Sequence, residues 1–134
     1  MAPTERDEGA GMAKERATAR RAAPLPAATF HILLALSDGP RHGYAIMREV
    51  EELSDGAVTM GPGTLYGSIK RMLADGLINE VDERPDPELD DQRRRYYALT
   101  ATGELARDSE IERVRGLLDR AGRSSARRLA PGTA

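Results

Sequence analysis

Apolar residues recur with a helical period along four stretches of this chain and alternate along two short ones, with turn residues at the breaks. Residues 27–36 are apolar nearly all round, which predicts a buried helix of about three turns. The turn chemistry of Ser37-Asp38-Gly39-Pro40 ends it. Residues 42–54 predict a second helix, with Ile46, Met47, Val50 and Leu53 inward and Arg48, Glu49, Glu51 and Glu52 outward.

The third stretch, residues 60–78, carries its own start and stop. Pro62 belongs at the first helical position, where its fixed φ suits the helix and its missing N–H would have been orphaned anyway; Gly61 serves as N-cap. Met60 and Leu65 then occupy the positions of a hydrophobic staple. Gly76 stands where a left-handed residue ends a helix, with Leu77 able to fold back on Met72. Along residues 62–75, Leu65, Ile69, Met72 and Leu73 fall on one side. Gly63, Thr64, Gly67, Lys70, Arg71 and Ala74 fall on the other. Small side chains let a helix approach a surface closely, and two adjacent cations offer donors to an anionic one, as on a helix that enters a DNA groove.

Residues 77–82 and 94–99 alternate like strands, the second rich in aromatics that favour sheets. The segment between them, 83–93, holds two prolines and excludes regular structure, so the pair predicts a hairpin with a long loop, a wing over residues 77–99. With Leu99 inward, period two packs Tyr97 and leaves Arg94 and Tyr96 freer to reach a phosphate. Thr100 is placed to cap a last helix over residues 101–122, with Glu104 favoured in its first turn by the dipole. Ala101 and Leu105 share one face, while Ile111, Val114, Leu118 and Ala121 follow the 3, 4, 3 spacing of a short coiled-coil seam roughly opposite. The first half is expected to pack on its own domain and the second on a second copy of the chain, the alternative being a helix that folds back over its own domain. The fold expected is mainly α with a small β-hairpin, a winged helix-turn-helix with a C-terminal dimerisation helix.

Composition narrows the picture. Residues 1–24 mix alanine, glycine and both charges without periodicity and predict a disordered arm, in which Arg16, Arg20 and Arg21 are at most phosphate contacts. Residues 25–100 form the expected binding domain, and residues 123–134 a disordered tail. No apolar run approaches the roughly 20 residues that cross a bilayer, and a basic N-terminus without an apolar segment carries no secretory signal; a cytoplasmic location and no membrane partner are expected. With no cysteine there is no disulfide and no thiolate chemistry. The net charge of −2 is low for a nucleic-acid binder, but the cations are grouped at Lys70-Arg71, at Arg93-Arg94-Arg95 and along residues 120–128.

Enzymatic chemistry finds no residues. The two histidines, His31 and His42, have no carboxylate at a ligand spacing. Asp86, Glu88 and Asp90 imitate a calcium loop, yet Asp91 stands where such a loop needs glycine and Tyr97 where it needs glutamate. No catalytic residue, metal or cofactor is expected.

Several motifs in order resemble one family. Leu33-Leu34-Ala35-Leu36, Gly39-Pro40-Arg41-His42-Gly43-Tyr44-Ala45-Ile46, Pro62-Gly63-Thr64-Leu65-Tyr66, Lys70-Arg71-Met72-Leu73, Gly76-Leu77-Ile78 and Arg94-Arg95-Tyr96-Tyr97-Ala98-Leu99-Thr100 are similar to the PadR family of bacterial transcriptional regulators. The resemblance spans about residues 28–105 and implies a winged-helix homodimer that binds a palindromic operator in double-stranded DNA, usually as a ligand-responsive repressor. The single short terminal helix looks like the subfamily that lacks a larger C-terminal domain. The resemblance also implies that Thr64, Tyr66, Lys70 and Arg71 face DNA from the recognition helix and that Arg94, Arg95 and Tyr96 do so from the wing; the helical wheel agrees for Thr64, Lys70 and Arg71. His42 opens the second helix, where it caps or packs. The acidic loop at 83–91 would repel phosphates and is expected to splay away from the duplex. The chain has no tryptophan, so the sensing of flat aromatic drugs between dimer helices does not carry over, and no effector is named. The competing expectation is a winged helix that docks proteins, with the acidic loop as its contact.

Overall fold

Helix α1 (Ala27–Ala35) forms the middle of the fold because it is apolar on every side. It packs against α2 (Gly43–Leu53), α3 (Pro62–Ala74) and α4 (Ala101–Leu129). The structure, a computed structural model, describes residues 24–82 and 95–129. The expectations for residues 1–23, for the loop at 83–93 with its splayed course, for Arg94 and for residues 130–134 lie outside the described residues.

Ile32, Leu33, Ile46, Val50, Leu65, Ile69, Met72 and Ile78 are buried in one core. Each such aliphatic side chain contributes about 1.5–3 kcal/mol relative to exposure. The end of α1 is held by side chains: the Ser37 hydroxyl donates to the Leu33 carbonyl at 3.0 Å, and Arg41 Nε donates to the Ala35 carbonyl at 2.9 Å. The Arg41 guanidinium also lies 3.5 Å from the Glu49 carboxylate, which ties the turn to α2. His42 caps α2, its Nδ1 accepting from the Ala45 N–H at 3.1 Å. The inward face of α2 is narrower than its periodicity suggests, since Leu53 is half exposed at the last turn, just before the chain turns away through Asp55 and Gly56, both with positive φ.

Among the described residues the sheet has three strands rather than the expected two. β1 (Arg41–His42) and β2 (Ile78–Val81) flank β3 (Tyr96–Leu99) in the order β1-β3-β2, all antiparallel. The hairpin register sets Ile78 opposite Leu99 and Val81 opposite Tyr96, while β1 sets Arg41 opposite Tyr97 and His42 opposite Tyr96. β1 is only two residues long and shows no alternation of its own, which leaves it illegible as a strand.

Helix α4 runs to Leu129, beyond the expected end at Gly122. It does not change sides. The face that docks on the domain is Gly103, Ala106, Arg107 and Glu110, and at 100° per residue this face continues directly into Ile111, Val114, Leu118 and Ala121. Leu105, expected to pack inward with Ala101, is 41% exposed. Close approach decides the matter: a Cβ on Gly103 would overlap the carbonyl oxygen of Leu77, so only glycine lets the helix lie where it does. Farther along, buried Glu110 takes both guanidinium donors of Arg113, at 2.8 and 2.7 Å, and a backbone hydrogen bond from Leu25.

Gly103→Ala is expected to lower stability by about 2 kcal/mol or more, as overpacking against backbone does, read as a reduced denaturant midpoint at fixed protein concentration. Acid should act through Glu110. The Arg113 hydrogen bonds hold its carboxyl below the ordinary pKa against the opposing effect of burial. The stabilisation is therefore present above the unfolded carboxyl's pKa and is lost as pH falls through the lower folded value. Glu110→Gln should flatten the acid limb of a stability-versus-pH curve below about pH 4.3; an unchanged limb would show that Glu110 does not carry it.

Candidate nucleic-acid interface

The candidate interface is built on α3, whose ends are fixed by the residues that the sequence pattern singles out. Gly61 is the N-cap and Pro62 the first helical residue. Met60 and Leu65 are both buried, as a staple requires. At the other end Gly76 has φ +73°; its N–H donates to the Leu73 carbonyl at 3.2 Å, and the Leu77 N–H reaches the Met72 carbonyl at 2.9 Å. These paired bonds form a Schellman motif. The helix therefore presents a fixed length with a fixed rotation.

Leu65, Ser68, Ile69 and Met72 are buried, and Thr64, Lys70 and Arg71 are exposed. Leu73, expected inward, is 37% exposed at the edge of the face, whereas Ser68 takes a core position that an apolar pattern does not reveal. Among the described residues no carboxylate pairs with Lys70 or Arg71; Arg71 makes one long contact, 3.5 Å to the Ser68 hydroxyl. Two unneutralised cations thus share an outer face with Gly63 and Gly67, where nothing but backbone would meet an approaching surface. Tyr66 lies on the flank of this face, 51% exposed.

The strands divide the remaining residues. Arg95 is exposed and 3.6 Å from the Glu80 carboxylate, a surface pair that contributes little and leaves the guanidinium reachable. Tyr96 corrects its expectation: it is 5% exposed rather than free. The cause is β1, which sets His42 beside it, the two rings meeting edge to face at 5.4 Å. The same imidazole stacks on Tyr44 at 6.5 Å. Tyr97 packs in the core, as its register predicts; burial pushes its phenol pKa up, and the neighbouring Glu80 carboxylate adds to the rise.

The base of α3 is joined to α4 through Thr100. Its hydroxyl donates to the Gly76 carbonyl at 2.6 Å and accepts the Gly103 N–H at 3.0 Å, so one side chain caps α4 and holds the end of α3. The capping role follows from the sequence; the bond to Gly76, 24 residues away, does not. Beyond the domain, Ile111 and Val114 are half buried, Leu117 is 53% exposed and Leu118 is 65% exposed. No helix among the described residues is long and apolar enough to cross a membrane.

Comparison with known proteins bears on what this arrangement is. A curated relative, an uncharacterised 37.1 kDa protein in transposon TN4556 of Streptomyces fradiae, is 39% identical over 72 residues, 54% of this chain. The chain spans only 18% of that relative's length. Among solved structures, a PadR family transcription regulator from Clostridium difficile superposes with a TM-score of 0.61 at 23% identity, over 73% of this chain and 97% of that one. Bacillus subtilis PadR, in complex with operator DNA, gives 0.53 at 20% identity, over 66% of this chain and 48% of that one. At those identities the likeness shows the fold. The model of the transcriptional regulator PadR-like family matches residues 32–109, from the core of α1 to the docked part of α4, and the chain belongs to that family.

Proposed function

We propose that this transcriptional regulator binds double-stranded operator DNA as a homodimer, with α3 in the major groove and the hairpin at the flanking phosphates. The observation that carries the reading is the outer face of α3, where Lys70 and Arg71 lie exposed and unpaired among the described residues, beside Thr64 and small residues. Arg95, at the start of β3, with Arg94 before it in sequence, supplies the wing contacts. Bacillus subtilis PadR, which shares this fold, is seen in complex with operator DNA, which supports a DNA target here. Tyr96, being buried, supports β1 instead of touching a phosphate.

Dimerisation rests on α4. Its apolar face continues past the domain through Val114, Leu118 and Ala121, and the exposed leucines gain cover if a second α4 packs there. A twofold dimer reads a palindromic operator only when its two recognition helices are spaced by about one turn of DNA, roughly 34 Å. Repression then follows from occupying the operator, and a small-molecule effector acts if it binds one spacing of the helices better than another.

The test is a fluorescence-anisotropy titration against the DNA upstream of the chain's own coding region, at two salt concentrations, with a scrambled duplex as control. Expected is tighter binding to the upstream duplex, falling with salt by about 0.9 in log–log slope per phosphate neutralised. Lys70→Ala and Arg71→Ala each weaken binding roughly tenfold and make the slope shallower. Unchanged affinity in both would remove α3 as the recognition helix, and no binding at low salt would favour a protein-docking domain. Leu118→Glu is expected to sediment as a monomer; a persisting dimer would place the interface elsewhere.

A further inference from the structure

Gly43, the first residue of α2, faces α3 at very short range. A Cβ built there would lie 2.5 Å from the Tyr66 hydroxyl oxygen, 3.0 Å from Cζ of that ring and 3.3 Å from Leu65 Cδ2. Gly43 has no positive φ, so its backbone does not ask for glycine. At a helical position alanine ordinarily stabilises by about 0.5–1 kcal/mol. The space taken by Tyr66 is the feature here that calls for glycine.

That ring occupies a particular place. Tyr66 and Lys70 are four residues apart on α3 and therefore neighbours on its surface, which puts the phenol at the edge of the cationic face. Its hydroxyl has no hydrogen-bond partner among the described residues, although the side chain is only half exposed. The Tyr97 phenol is pushed up first by burial and then by Glu80, with Tyr66 the smallest of the influences on it. The Tyr66 ring thus lies across the start of α2 with its hydroxyl against Gly43, on the flank of the face that carries Lys70.

We propose that Gly43 is a positioning residue for DNA binding: its missing side chain seats the Tyr66 ring across the start of α2, so that the hydroxyl donates to a backbone phosphate at the flank of the cationic face. The inference rests on the DNA-binding reading above and adds the residue that fixes one of its donors. A methyl group at Gly43 meets the far end of a side chain rather than backbone, so the ring swings outward and the fold persists. What the swing removes is a hydrogen bond from an uncharged donor to phosphate, which carries no base preference and releases no counterion.

The experiment is a double-mutant cycle of Gly43→Ala with Tyr66→Ala, with Tyr66→Phe alongside, in the same titration on operator and scrambled duplexes. Gly43→Ala and Tyr66→Phe are each expected to weaken binding roughly three- to tenfold, equally on both duplexes, with the salt slope unchanged and the melting temperature not lowered. In the Tyr66→Ala background, Gly43→Ala should have no further effect. A helix-packing role for Gly43 would instead lower the melting temperature and weaken binding by the same factor even without the tyrosine. That result, or wild-type binding by Gly43→Ala, overturns the proposal while leaving Lys70 and Arg71 in place. Failure of the unsubstituted protein to bind either duplex overturns it together with the DNA reading.

Discussion

Thr100 joins the two helices whose relation defines this molecule. Its hydroxyl gives its proton to the Gly76 carbonyl just past the end of α3 and receives the Gly103 N–H from the first turn of α4, while its own N–H bonds the Leu77 carbonyl at 3.1 Å. Gly103 then allows α4 to rest on that same Leu77 carbonyl with no atom between. Donors and acceptors that helix ends would leave to water are consumed here in joining one helix to the other. The direction of α4 and the direction of α3 are therefore not independent, and whatever α4 packs against is geometrically linked to whatever α3 touches.

The docking of α4 relies on small residues and on one charge pair rather than on a broad apolar stripe. Gly103 and Ala106 bring backbones together; Arg107 reaches the Ser37 hydroxyl at 3.1 Å; Glu110 is buried with Arg113 across it and Leu25 beneath. A buried carboxylate without such partners would be costly, and replacing only one partner leaves the other unsatisfied. Leu105, in the docked half, points away from the domain, and Leu117 and Leu118 stand exposed in the half that extends past it. One face of one helix thus changes character along its length, closely fitted with small and charged residues on the domain and with exposed leucines beyond it.

The small sheet has a comparable economy. Two residues, Arg41 and His42, form its third strand, yet Arg41 also closes α1 and His42 also caps α2. The turn between α1 and α2 is fixed from three directions, which holds the start of α2, and with it Gly43, against α3. Tyr96 and Tyr97, neighbours on β3, are buried on opposite faces, one under His42 and one in the core. β3 is consequently the most enclosed strand, and the exposed cation of the hairpin, Arg95, stands just before it.

What the sequence by itself determined is local: the four described helices, the cap and stop of α3, the capping role of Thr100, the hairpin pairing and the exposed Thr64, Lys70 and Arg71. Each depends on residues within about one turn or one strand of each other, where side-chain type and period fix the outcome. Only the tertiary structure decided which face of α4 meets the domain, because that choice rests on Gly103 fitting a carbonyl at Leu77 and on Glu110 finding Leu25, none of which has a periodic signature. It likewise decided that Tyr96 is covered, since a strand of two residues has no alternation to read and its partner lies more than fifty residues away. Leu53 and Leu73 are exposed and Ser68 buried for the same reason: periodicity assigns a direction to a side chain, but neighbouring elements decide where along that direction the core ends.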